Sequence, residues 1–128
     1  SSAASDVYKR QVKARKETLG ITIENLARLS HSGTRTVNRF LSNEDIKLST
    51  VESITNILGL DFAGNEAISL EELKIQRATQ KAIFMASLVQ STSALEMQGL
   101  EKDSLNKMIN EFKKEFLTGS FQNRLWVA

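Results

Sequence analysis

The chain has 128 residues, 41% hydrophobic and 25% charged, with no proline, no cysteine and a formal net charge of +2. That composition fits one folded domain, or one domain with an extension. It excludes disulfides and thiolate metal sites, which suits a reducing cytoplasm, and no apolar run approaches the roughly 20 residues that span a bilayer. Leu, Ile, Ala, Glu and Lys are frequent and no β-like alternation stands out, so an all-α protein is predicted.

Charge is unevenly distributed. Residues 1–41 hold eight Lys/Arg against three Asp/Glu, a balance of +5; residues 42–128 hold nine against twelve, a balance of −3. The first eleven residues, SSAASDVYKRQ, resemble a translated sequencing adapter and have no apolar core like that of a signal peptide. They are read as a non-native or artefactual segment and carry no functional argument. Without them the N-terminal balance is still +4.

A first helix is predicted from about residue 8 to Leu19, with Val12, Leu19 and Ile21 facing the core. Thr22 is placed to cap a second helix over about 23–29, where Leu26 and Leu29 share a face and Ala27 is small enough for a close helix crossing. Ser30, His31, Ser32 and Gly33 break the periodicity. Helix resumes over 34–41, with Val37, Phe40 and Leu41 inward and Thr34, Arg35, Asn38 and Arg39 outward. The link SNEDIK follows, with Asn43 suited to a left-handed position. A fourth helix is expected over about 50–58, opened by a Ser49/Glu52 capping box and stopped by Gly59. Its inward stripe is Val51, Ile54, Ile57 and Leu58.

Residues 63–68 read as a linker, and residues 69–128 as a second region. Ser69 and Glu72 form another capping box. No Gly or Pro then occurs until Gly99, which allows up to 29 helical residues, or roughly 43 Å at about 1.5 Å per residue. The stretch QSTS (90–93) is a possible break. Ile75, Ala78, Ala82, Ala86 and Val89 make one face small, and Phe84, Leu88 and Leu95 make its neighbour large and apolar. A last helix over about 103–117 carries Leu105, Met108, Ile109, Phe112 and Phe116 as an amphipathic stripe, stopped by Gly119. The tail adds Phe121, Leu125 and Trp126. This apolar surface exceeds what a two-helix hairpin buries on itself, which predicts either a cap on the first domain or pairing with a second copy. The interface residues expected for a homodimer or a protein partner are Phe84, Leu88, Leu105, Met108, Ile109, Phe112, Phe116 and Trp126.

Residues 12–60 resemble the lambda-repressor-like, Cro/C1 (XRE) helix-turn-helix family. VKARKETLG (12–20) looks like its first helix, TIENLARLSHSGTRTVNRFL (22–41) like its helix-turn-helix, and LSTVESITNILGL (48–60) like its fourth helix. Ala27, His31 and Val37 stand where the family usually has a small residue, a glycine and a β-branched residue. The chain departs from the pattern at His31, at Ser32 in place of an apolar residue, at Gly33 in place of a capping Ser or Thr, and at Ile23 in place of a phosphate-contacting Gln. The resemblance implies a helix-turn-helix DNA-binding domain over 12–62, followed by a C-terminal extension of one long and one amphipathic helix. It implies that the helix 34–41 enters the major groove of double-stranded DNA. Thr34, Arg35, Asn38 and Arg39 would then face bases, and Ser32, Thr36 and Lys47 would contact phosphates.

The function expected is a cytoplasmic, dimeric transcriptional repressor with no cofactor. The rival expectation is an antitoxin that binds a toxin through its C-terminal helices and autoregulates through its first domain. A third is a protein-interaction module that has lost DNA binding. One His, no Cys and no phosphate-cradling Gly-rich loop leave little basis for an enzyme.

Overall fold

The computed structural model describes residues 3–42, 44–97 and 102–128, and only the backbone of residues 3–6 and 92–97. Among the described residues all regular structure is helical: α1 (Ala3–Leu19), α2 (Ile23–Leu29), α3 (Thr34–Leu41), α4 (Leu48–Ile57), α5 (Leu70–Met97), α6 (Lys102–Thr118) and a 3-10 turn at Gln122–Arg124. An isolated antiparallel bridge joins Leu60 and Glu66. No described helix is long and apolar enough to cross a membrane. The chain forms two compact units, the first ending at Leu73 and the second running Lys74–Val127.

In the first unit α2 packs on α3 and α4, and α1 packs on α3. Val12, Ile21, Leu26, Val37, Ile54 and Leu58 are fully buried and make its core; each such side chain contributes roughly 1.5–3 kcal/mol relative to exposure. Helices α1, α2 and α4 stop in one way. The residue after the C-cap turns left-handed: Gly20 at φ 74°, His31 at φ 56°, Gly59 at φ 69°. The next residue's N–H then reaches back five residues, Ile21 to Lys16, Ser32 to Ala27 and Leu60 to Thr55, at 2.8–3.2 Å. This paired closure satisfies carbonyls the helix leaves open.

The segment 63–68, expected as a linker, is tied into the first unit. Asp61 Oδ1 accepts from the N–H groups of Ala63 and Asn65, both at 2.9 Å, and the N–H of Ala67 bonds the Gly59 carbonyl at 2.9 Å. Arg15 holds the return path. Its side chain is buried; Nε donates to the Leu58 carbonyl at 2.8 Å, Nη1 pairs with Glu66 at 2.5 Å, and Nη2 donates to the Ile68 carbonyl. Gly64 (φ 82°) lies so close to the Tyr8 ring that a Cβ there would meet Tyr8 Cδ2 at 2.5 Å.

Several expectations are corrected. Helix α1 begins at Ala3 and not near residue 8, and its Tyr8 packs edge-on against Phe40 at 6.1 Å. Burial, and then the charge of Asp61, raises the Tyr8 phenol above its ordinary pKa. The Ser49/Glu52 capping box does not form. Helix α4 starts at Leu48 with Lys47 as an N-cap that makes no side-chain bond, which puts Ser49 inside the first turn, where its carbonyl accepts from Ser53 Oγ. Ser69 does cap α5, accepting from the Glu72 N–H at 3.1 Å. The stretch 90–93 leaves α5 unbroken. Asn43 and Gly99, and the Leu95 side chain, lie outside the described residues.

In the second unit the small face of α5 is buried at Ala78, Ala82 and Ala86, along with Phe116, Leu125 and Trp126. Phe116 of α6 packs on Phe121 at 5.3 Å. Phe116 and Trp126 were expected at a partner surface, but they are 3% and 8% exposed because the chain covers them itself. Leu105, Met108, Ile109 and Phe112 are half-buried. Phe84 and Leu88 are 63% and 51% exposed, and Ile83 and Val89 are also exposed along α5.

Candidate nucleic-acid interface

The candidate site is built on α2, its turn and α3. Thr22 Oγ1 caps α2 by accepting from the Asn25 N–H at 3.1 Å. At the other end Ser30 is buried and folds back, its hydroxyl donating to the Leu26 carbonyl at 2.7 Å and lying 2.9 Å from Ser32 Oγ. The left-handed turn at His31 then reverses the chain within four residues. Gly33 is the N-cap of α3, extended at φ −90° and ψ 159°, with no side-chain bond to the helix.

His31 is the non-glycine residue with positive φ among the described residues. The turn therefore carries a backbone penalty that Gly20 and Gly59 avoid at the equivalent stops. His31→Gly is expected to raise stability by about 0.5–1 kcal/mol, after allowing for glycine's freer unfolded chain. Urea denaturation checks it; a loss of stability would mean that the imidazole makes an interaction outweighing the strain.

Burial divides α3 cleanly. Val37 is fully buried and Phe40 is 8% exposed, which fixes the inward face. Thr34, Arg35, Asn38 and Arg39 are all exposed on the opposite side. Ser32, Thr36, Arg39 and Lys47 are brought together with Asp45, Ile46 and Thr50 along an open groove of about 470 Å³ beside α3. All three residues expected to contact phosphate thus share one surface, and Arg39 joins it to the exposed face of the helix. Thr34, Arg35 and Asn38 do not line that groove.

Two features were not read from the sequence. Thr50 lines the groove because α4 begins at Leu48; placing that start two residues later hides it. Glu44 sits 3.5 Å from Arg39, Oε1 to Nε, with both side chains about half exposed. An exposed pair of this kind contributes about 1 kcal/mol at most, so Arg39 is readily released from it. Among the described residues no group of three or more His, Cys, Asp or Glu side chains is placed to hold a metal ion.

No protein-family model, curated protein or solved structure matches this chain.

Proposed function

We propose that the chain is a sequence-specific transcriptional regulator of the lambda-repressor-like helix-turn-helix type, acting as a dimeric repressor on double-stranded DNA. The observation that carries this reading is the outward face of α3. It presents Thr34, Arg35, Asn38 and Arg39 to solvent while Val37 and Phe40 anchor the helix. A short helix presented this way fits the major groove. Arg35 and Arg39 suit guanine O6 and N7, Asn38 suits adenine N6 and N7, and Thr34 suits a base edge or a thymine methyl. Ser32, Thr36 and Lys47 serve the phosphates, where they set register without reading sequence. The basic excess of residues 1–41 supplies the salt-dependent part of affinity.

A regulator of this kind reads two half-sites about one helical turn apart and so needs a twofold partner. The exposed apolar stripe of Ile83, Phe84 and Val89 supports dimerisation through α5. The same stripe favours the second reading, an antitoxin whose α5 face holds a toxin. Sedimentation of the purified chain separates the two: a dimer at micromolar concentration supports the first, and a monomer that copurifies stoichiometrically with a second protein supports the other.

The Glu44 carboxylate beside Arg39 gives a direct test of the reading. It repels phosphate and competes for the guanidinium. Glu44→Gln is expected to tighten DNA binding about threefold to tenfold at low salt, with a smaller gain at higher salt. Fluorescence anisotropy on labelled duplex checks this. Unchanged affinity would place the Arg39 side of α3 away from the DNA.

A further inference from the structure

Three cations of the second unit, Arg77, Lys81 and Arg124, form no ion pair among the described residues. Arg77 donates from Nε to the Leu125 carbonyl at 2.8 Å and from Nη2 to the Val127 carbonyl at 2.9 Å. Lys81 Nζ donates to the Val127 carbonyl at 2.7 Å and lies 5.5 Å from the centroid of the Phe116 ring. Arg124 is exposed, and its charge, with that of Arg77, adds to burial in pushing the Lys81 ammonium below its ordinary pKa. The ion pairs among the described residues are Arg15 with Glu66 and Arg39 with Glu44; neither reaches this cluster. A groove of about 310 Å³ opens beside it, lined by Lys81, Phe84, Met85, Phe116, Phe121 and Arg124.

We propose that this groove binds a small organic carboxylate with an aromatic or short acyl body. The carboxylate would accept hydrogen bonds from the Arg124 guanidinium, a geometry suited to charge-assisted pairing. It would also offset the mutual repulsion of Arg77, Lys81 and Arg124. The body would lie on Met85, Phe116 and Phe121, an apolar floor that the α5 stripe proposed for dimerisation does not include and that a free inorganic anion cannot use. The volume sits at the low end of ligand pockets and limits the occupant to a small molecule. An apolar side chain from a second copy fills the floor but brings the three cations no counter-charge, so charge complementarity selects the carboxylate. This site lies wholly in the second unit and stands whether or not α3 binds DNA.

The test is titration of the full chain, followed by amide NMR shifts and by the fluorescence of Trp126, the sole tryptophan. The probes are phenylacetate and octanoate, with acetate, phenethyl alcohol and octanol as controls. Phenylacetate or octanoate should saturate with Kd in about the millimolar range or tighter, and shift the amides around Phe121 and Arg124. Acetate and the alcohols should bind at least about tenfold more weakly, and the exposed-site variant Arg124→Gln should weaken the carboxylates by about tenfold or more. Equal responses to acetate and phenylacetate, or carboxylate binding unchanged by Arg124→Gln, would overturn the proposal. So would shifts at these amides that follow protein concentration rather than ligand, which would assign the groove to a second copy.

Discussion

Arg15→Met is expected to lower the stability of the first unit by about 3 kcal/mol. Methionine retains much of the apolar stem but leaves the Leu58 and Ile68 carbonyls without the donor that now closes them. For a unit of this size that is a fall of roughly 10–20 °C in Tm. Glu66→Gln should behave very differently. Glu66 is 56% exposed and recovers water when the pair is broken, while Arg15 keeps both carbonyls. A change of about 1 kcal/mol or less is expected there. Thermal and urea denaturation of the two variants side by side check the contrast. Equal losses would mean that the charge pair, and not the backbone clamp, holds residues 58–68 against α1.

The second large effect falls on recognition. Arg35→Ala is expected to weaken binding to a preferred duplex by roughly tenfold to a hundredfold, the value of one good bidentate base contact of about 1–3 kcal/mol. Arg35 is exposed and on the side of α3 away from the buried Val37 and Phe40, so the substitution should leave the melting curve unchanged. Its signature is loss of preference at one position of the site. Lys47→Ala offers the contrast: it should weaken all duplexes alike and lower the salt slope by about one unit. Quantitative binding to a panel of single-base variants distinguishes the two. Uniform weakening by Arg35→Ala would assign that side chain to the backbone instead.

Local signals carried much of the fold. Helices α2 and α3 lie where spacing and the break at 30–33 put them, because each boundary rests on contacts a few residues apart: Thr22 with Asn25, and Ser32 with Ala27. The inward residues Val12, Leu26, Val37 and Ile54 were equally legible, since burial follows helical periodicity. What escaped was set by distance in sequence. Arg15 stands in a run of charges that reads as a solvated face; its partners lie 43 to 53 residues away. The same long-range clamp turns residues 63–68 from a linker into part of the first unit. The start of α4 was misplaced because a Ser-x-x-Glu pattern is present, yet the backbone carbonyl of Lys47 already accepts from Thr50 and Val51. Phe116 and Trp126 fit an interface by amphipathicity alone, and periodicity cannot say whether the covering surface comes from the same chain. At the candidate site the exposed set on α3 followed from pattern, whereas its assembly with Thr50 depends on where α4 begins, and the restraint of Arg39 by Glu44 on the turn that closes α3, where the Glu44 N–H bonds the Arg39 carbonyl at 3.0 Å.

The most direct test of the central claim is selection of the full chain against a random double-stranded oligonucleotide library at two salt concentrations. The account predicts enrichment of an inverted repeat whose half-site centres are about 10 base pairs apart, retained at the higher salt. Recovery of no shared sequence, with weak binding that disappears as salt is raised, would contradict it.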